Sequence, residues 1–384
     1  MAEMIELKEQ EERVILVAVS TGEDDDTAAS VDELEELAST AGAVTVGKVI
    51  QNRENVHPGT YLGKGKIEEV KELLWELDAT GIICDDELSP AQLKNLEDAL
   101  DTKVMDRTMV ILDIFASRAR TREGKIQVEL AQLRYRAVRL VGLRNSLSRL
   151  GGGIGTRGPG EKKLEVDRRL IHERISQLKS ELEDVKRHRE VVRKKRENGG
   201  ALTAAIVGYT NAGKSTLLNR LTQAGILAED KLFATLDPTT RALTLPGGER
   251  ILLTDTVGFI RKLPHHLIEA FKSTLEEAKY SDVILHVVDC SNPQMDMQMH
   301  VVYETLRQLE ITDKEIVTVF NKIDREGADT AGRDMAADYR VKISAKTGEG
   351  LPDLLGVLET ILRSRRIYFE KVFSYAEAGR IQRI

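Results

Sequence analysis

The stretch Gly208-Tyr209-Thr210-Asn211-Ala212-Gly213-Lys214-Ser215 decides the fold. It fits G-x-x-x-x-G-K-[ST], a loop whose successive backbone N–H groups wrap phosphate oxygens. The apolar run Leu202–Val207 before it predicts a buried strand. Thr216–Ala224 after it predicts a helix with Leu217, Leu218 and Leu221 on one face. That strand–loop–helix context is what the motif requires. Lys214 is placed to reach the β- and γ-phosphates, and Ser215, followed by Thr216, to put its hydroxyl on Mg²⁺.

Further motifs follow in order. Phe233-Ala234-Thr235-Leu236-Asp237 is a candidate switch loop. Thr235 is the preferred Mg²⁺ ligand and γ-phosphate sensor, with Thr239 and Thr240 as competitors. The apolar stretch Arg250–Thr254 predicts a strand ending in Asp255-Thr256-Val257-Gly258, a D-x-x-G. There Asp255 would hold Mg²⁺ through water and the Gly258 amide would meet the γ-phosphate. Lys214, Thr235 and Gly258 are the expected catalytic set. Val283–Asp289 and Glu315–Phe320 predict two more buried strands, the second running into Asn321-Lys322-Ile323-Asp324. The Asp324 carboxylate can accept from both guanine N1–H and the exocyclic amine, which adenine lacks. Breaking such a pair costs about 2–5 kcal/mol, so GTP and GDP are the expected ligands and ATP is not. Ser344-Ala345-Lys346 would close over the base.

Ras-like hydrolases carry Gln after D-x-x-G to orient the attacking water. This chain has Phe259. An apolar side chain cannot do this, so slow intrinsic hydrolysis is expected until a partner completes the site. Asn211 leaves two readings open: a ligand for K⁺ beside the phosphates, or a loop-stabilising amide.

The chain of 384 residues, 41% apolar, has room for two or three domains. Cys84 and Cys290 form no C-x-x-C, which argues against a zinc or redox motif and for buried thiols in a reducing compartment. No apolar run is long enough to span a bilayer, and the acidic N-terminus does not read as a signal peptide. A soluble, monomeric, cytoplasmic chain is expected, free or peripheral at a membrane. The net charge of −7 hides an asymmetry: residues 117–196 carry 23 Lys/Arg against 10 Asp/Glu, leaving −20 for the rest. A basic segment in an acidic protein points to a local polyanion site.

Upstream, Arg13–Val19, Val44–Ile50 and Gly81–Cys84 read as strands, and Val104–Asp106 and Met109–Phe115 as further strand material. Helical spacing covers Val31–Thr40, a helix opens at the Gly63–Lys66 loop, and Ser89-Pro90 starts another that runs to Leu100. Residues 13–115 are therefore expected to form an α/β domain. Residues 116–197 change character. Ile126, Leu133, Leu140 and Leu147 recur every seven residues, and so do Leu164, Ile171, Leu178, Val185 and Val192. Two seamed helices joined at 151–160, with six glycines in ten, predict a long antiparallel helical hairpin with a glycine-rich tip. Gly151, Gly152, Gly153, Ile154, Gly155, Thr156 and Arg157, among flanking arginines and lysines, suit close approach to folded RNA. The P-loop domain is expected over 201–366, with a tail at 367–384.

Tyr61–Lys66, Asp106–Arg120, Ser148–Glu161 and Gly208–Ser215 together resemble the HflX family of translational GTPases over nearly the whole chain. The resemblance implies binding to the large ribosomal subunit, the glycine loop reaching towards rRNA of the peptidyl-transferase region, and splitting of stalled ribosomes under stress. It also implies ATP binding by the N-terminal domain, for which Gly63–Lys66 is the local support. Two features depart from the pattern. Lys162 stands where the family's Glu-Thr-Lys run has Thr, and residues 367–384 look like the start of a further domain, cut short. A GTPase of tRNA modification would bring a folate- or substrate-binding domain and a catalytic Cys near the C-terminus, and neither is visible. A nucleotide-regulated coiled-coil dimer is the remaining alternative.

Overall fold

The computed structural model describes residues 11–22, 26–150, 159–197, 202–222, 232–264, 267, 275, 277–328 and 332–365, with the backbone course alone for 140–150, 159–164 and 188–197. The glycine tip 151–157, its nearest arginines and the tail 367–384 lie outside the described residues or side chains.

The N-terminal part runs β1 (Arg13–Ser20), α1 (Thr27–Ala41), β2 (Val44–Asn52), α2 (Lys64–Glu76), β3 (Gly81–Cys84), α3 (Pro90–Leu100) and β4 (Lys103–Asp106). Its four strands form one parallel sheet in the order β2-β1-β3-β4. Val14–Val19 are buried, as the unbroken apolar run of an inner parallel strand requires. Ser89 and Gln92 exchange bonds across a capping box ahead of Pro90, which fixes where α3 begins.

Met109–Phe115 is not strand. It lies within helix α4 (Arg107–Arg118). Asp106 ends β4 and at once caps the helix, accepting from Met109 N at 2.9 Å. Val110, Ile111, Leu112, Ile114 and Phe115 are all buried and only the narrow stripe Asp113, Ala116 and Ser117 is exposed, so the short apolar run Met109–Leu112 reads as strand as readily as helix.

Helices α5 (Arg122–Leu150) and α6 (Pro159–Glu197) meet through Ile126, Leu130 and Ala137 on one side and Ile175, Leu178 and Leu182 on the other. Arg174 pairs with Glu129 at 2.7 Å and Arg122 with Glu181 at 3.8 Å. Partner numbers fall along one helix as they rise along the other. The first half of α5 is built into the body. Val128, Ala131 and Tyr135 share a core cluster with Leu34, Ile111 and Phe115. Asp106 accepts from Tyr135 Oη and pairs with Arg139 Nη2, both at 2.6 Å.

The C-terminal part runs β5 (Leu202–Gly208), α7 (Lys214–Thr222), β6 (Thr239–Thr244), β7 (Arg250–Asp255), β8 (Val283–Asp289), α8 (Met295–Gln308), β9 (Glu315–Asn321), β10 (Tyr339–Lys342) and α9 (Leu351–Ser364). The six strands order as β10-β9-β8-β5-β7-β6, with β6 alone antiparallel. Helix α7 begins at Lys214, two residues before the expected Thr216, because Leu217 N bonds back to Gly213 O at 2.9 Å and closes the first turn. The loops after β5, β7 and β9 all leave the same edge of the sheet, where open α/β sheets bind ligands.

Candidate nucleotide site

Strand β5 delivers residues 208–215 into a cleft lined by Thr210, Asn211, Gly213, Lys214, Ser215, Thr216, Phe233, Ala234, Thr235, Thr256 and Gly258. Gly213 sits at φ +96°, and a Cβ there would collide with the Asn321 amide nitrogen. Gly258 must also be glycine: a Cβ would stand 2.9 Å from Thr210 Cα and 3.0 Å from Lys214 Nζ. The D-x-x-G loop is thereby pressed onto the P-loop, and Thr210 N donates to Phe259 O at 2.8 Å to hold it there.

Lys214 is buried, its Nζ donating to Tyr209 O at 2.7 Å. Burial pushes its pKa down to about 8, against the pull of Asp255, with Lys322 adding to the fall. Ser215 Oγ lies 2.7 Å from both Thr235 Oγ1 and Asp255 Oδ2. Thr240 instead faces Thr254 at 2.9 Å, and Thr239 stands on β6, so of the three threonines Thr235 meets Ser215. Burial raises the Asp255 carboxyl above its usual range. Its Oδ1 is buried without a partner. Two hydroxyls and one orphaned carboxylate oxygen at a phosphate cradle are the donor set of a hard divalent cation such as Mg²⁺. Among the described residues, no group of three or more His, Cys, Asp or Glu is placed to hold a metal.

Around the base site, Asn321 works as a brace. Its Nδ2 donates to Ala212 O and its Oδ1 accepts from Ala345 N, each at 2.9 Å. It ties the P-loop to Ser344-Ala345-Lys346. Lys322, in left-handed backbone at φ 68°, pairs with Asp289 at 2.6 Å. Ile323 N reaches Ile343 O at 3.3 Å. Asp324 is held below its usual carboxylate range chiefly by the Ser344 hydroxyl. A carboxylate kept ionised at the mouth of the site suits a guanine edge.

Several expected nucleotide residues also make contacts away from the phosphates. Asp237 accepts from Arg120 N and Thr121 N at 2.9 Å, and from Thr121 Oγ1. It clamps the start of α5 and does not face the phosphates. Leu236 and Val257 are buried in the shared core, where Phe259 also lies, 1% exposed. Phe233 packs edge-on against Phe115 at 4.7 Å. The hydroxyl of Thr256 donates back to Ile206 O at 2.8 Å. Leucine and phenylalanine in this switch loop are anchors to the N-terminal part, an alternative that the motif alone could not separate from ligand contact. At the Gly63–Lys66 loop, Gly63 N donates to Gln51 and Lys66 pairs with Glu69, so these two donors are engaged within the domain.

One network was invisible in the sequence. Tyr209 Oη donates to Glu33 at 2.6 Å and accepts from Arg261 N at 2.9 Å. Glu33 pairs with Arg107 at 2.6 Å, Arg107 with Asp85 at 2.8 Å, and Asp85 with Lys262 at 2.5 Å. Lys262, at φ 53°, also reaches Asp86 at 2.7 Å. The segment after D-x-x-G is thus stitched to the N-terminal sheet. The available signal was a tyrosine inside a loop whose other variable positions are small.

A six-stranded sheet with one antiparallel edge, a P-loop after β5, a D-x-x-G after β7 and an N-K-x-D after β9 define a Ras-like P-loop GTPase. Residues 28–116 match the family described as GTP-binding GTPase N-terminal, 118–196 the GTP-binding GTPase Middle Region, and 203–322 the 50S ribosome-binding GTPase. GTPase HflX of Lacrimispora saccharolytica is 78% identical over 384 residues, all of this chain and 91% of that protein. GTPase HflX of Escherichia coli is 44% identical over 350 residues, 90% of this chain and 82% of that one. The crystal structure of the SsGBP and GDP complex is similar at TM-score 0.51 and 25% identity, covering 92% of this chain and 99% of that one. The chain belongs to the HflX family of GTPases, and it hydrolyses GTP. No helix among the described residues is long and apolar enough to cross a membrane.

Proposed function

We propose that this GTPase binds the large ribosomal subunit and splits or rescues stalled ribosomes, with GTP hydrolysis controlling the bound state. The Asp237 clamp carries the reading. Asp237 lies two residues beyond Thr235 and holds the first residues of the α5 segment through Arg120 and Thr121. An event at the γ-phosphate that moves Thr235 therefore pulls on the root of the α5–α6 pair. Taken as an antiparallel hairpin over 116–197, that pair is a basic arm ending in Gly151–Arg157, suited to rRNA near the peptidyl-transferase region. Such a role places the protein in the cytoplasm.

In this reading Ser215 and Thr235 hold Mg²⁺ directly and Asp255 holds it through water. The ion supplies positive charge to the phosphate oxygens. Lys214 and the P-loop amides bind the phosphates, Asp324 selects guanine, and buried Phe259 leaves the attacking water to be oriented by the ribosome. A K⁺ ion at Asn211 is a second element. Asn211 also lines a cavity whose charged walls are Asp32, Glu33, Glu36, Asp289, Lys322 and Arg325. Equal hydrolysis rates in K⁺ and Na⁺ buffers remove it.

Co-sedimentation with purified large subunits tests the reading. The full chain with a non-hydrolysable GTP analogue should pellet with the subunits, and a variant lacking 151–157 should stay in solution while still binding GTP. Equal pelleting of both refutes the arm as the ribosome contact.

A further inference from the structure

We propose that Thr210 is a catalytic residue of GTP hydrolysis, its hydroxyl donating to an oxygen of the γ-phosphoryl group in the transition state. Three other buried threonines turn their hydroxyls onto a protein acceptor: Thr256 onto Ile206 O, Thr305 onto Val301 O, Thr318 onto Asp334. Thr210 does not. The residue is 6% exposed, and its Oγ1 is buried with no partner. Thr210 lines the cleft, and among the described cleft-lining residues it carries the one buried side-chain oxygen without a partner. A hydroxyl shut away from water and unpaired is a group waiting for a ligand atom.

Its position says which ligand atom. Thr210 lines the phosphate cleft. A Cβ on Gly258 would touch Thr210 Cα and Cγ2 at 2.9 Å and Lys214 Nζ at 3.0 Å. Thr210 Cα and the methyl Cγ2 therefore stand where the lysine of the P-loop and the glycine of D-x-x-G converge, and the hydroxyl sits on the same Cβ, beside the point at which the γ-phosphate is gripped. Its backbone is fixed there by the bond from Thr210 N to Phe259 O, 2.8 Å. The same Phe259 is apolar and buried, so the loop that carries Gln in Ras offers no side-chain donor here.

The step balances without further reagents. A water oxygen bonds to Pγ as the bond from Pγ to the β,γ-bridging oxygen breaks. That oxygen keeps the electron pair on GDP, and the water's proton ends on inorganic phosphate. Thr210 keeps its own proton. It acts as a preorganised donor to charge spread over the γ-oxygens.

Single-turnover hydrolysis by the full chain tests this, with Thr210→Val and Thr210→Ser compared with the parent. Valine keeps the shape and the methyl group and removes only the hydroxyl. The expected result is a fall in kcat of roughly tenfold to a hundredfold for Thr210→Val. KM for GTP and Kd for GDP, which lacks the γ-phosphate, should stay within about twofold, and Thr210→Ser should restore most of the rate. An unchanged rate in Thr210→Val overturns the proposal. So does a loss of rate matched by an equal loss of GDP affinity that serine does not repair, since that is the behaviour of a merely structural threonine.

Discussion

The P-loop serves two regions that are built on opposite principles. Towards the phosphates it offers backbone amides, small side chains and Lys214, whose roles follow from spacing. Towards the N-terminal sheet it sends one side chain, Tyr209, into a chain of charges that runs from Glu33 through Arg107 and Asp85 to Lys262. The first region is local in sequence and waits for a ligand. The second joins residues up to 177 positions apart and is already paired within the protein, save for the buried Arg107 Nε. Burial raises the Glu33 carboxyl, while at Asp85 burial is outweighed by Arg107 and Lys262, so that carboxyl sits below its usual range. Damage to the cleft should therefore appear as lost ligand, and damage to the seam as lost fold.

Arg107→Ala should show the largest effect. It strips a buried guanidinium from Glu33 and Asp85 at once, a loss of about 3–5 kcal/mol by thermal or urea unfolding. Lys214→Ala should cost roughly a hundredfold or more in GTP affinity by titration calorimetry. Its effect on unfolding should be far smaller, because the parent lysine is itself held at a desolvation cost. Equal destabilisation by the two variants would erase the contrast.

A pH series sharpens it. Burial lowers Lys214, so the empty cleft loses that proton above pH about 8. Phosphate binding demands the charged form and must take the proton back. GTP affinity should then fall by about tenfold for each pH unit above 8. A flat profile to pH 9 would show that the lysine is charged in the empty site. The smallest effect belongs to Tyr209→Phe, which removes one shared hydroxyl. About 1 kcal/mol of stability should go, with GTP affinity nearly unchanged.

The legibility of the molecule divides along the same line. Strand β5, the P-loop, Asp255-Thr256-Val257-Gly258 and Asn321-Lys322-Ile323-Asp324 could be read because each is a contiguous run whose chemistry fixes its spacing. Thr235 could be preferred over Thr239 and Thr240, and the geometry brings it to Ser215. Helix α4 could not be read, since its exposed stripe is narrow (Asp113, Ala116 and Ser117) and the unbroken apolar run Met109–Leu112 fits a strand as well as a helix. Asp237, Phe233 and Leu236 flank Thr235, and that adjacency alone predicts nucleotide contact. Their contacts with Thr121, Phe115 and the shared core depend on chain brought in from over a hundred residues away. Glu33 and Asp85 carried no motif, and the run Asp106–Arg120 that holds Arg107 gives no sign of its partners.

The central claim is that a complete nucleotide site, lacking only a side chain to orient water, is finished by the large ribosomal subunit. Steady-state GTP hydrolysis at one fixed salt concentration, with and without purified large subunits, measures this most directly. The account predicts a rise of roughly a hundredfold or more, within the range that partner-completed sites reach. Slow turnover that is the same in both would contradict it and detach the GTPase from the ribosome.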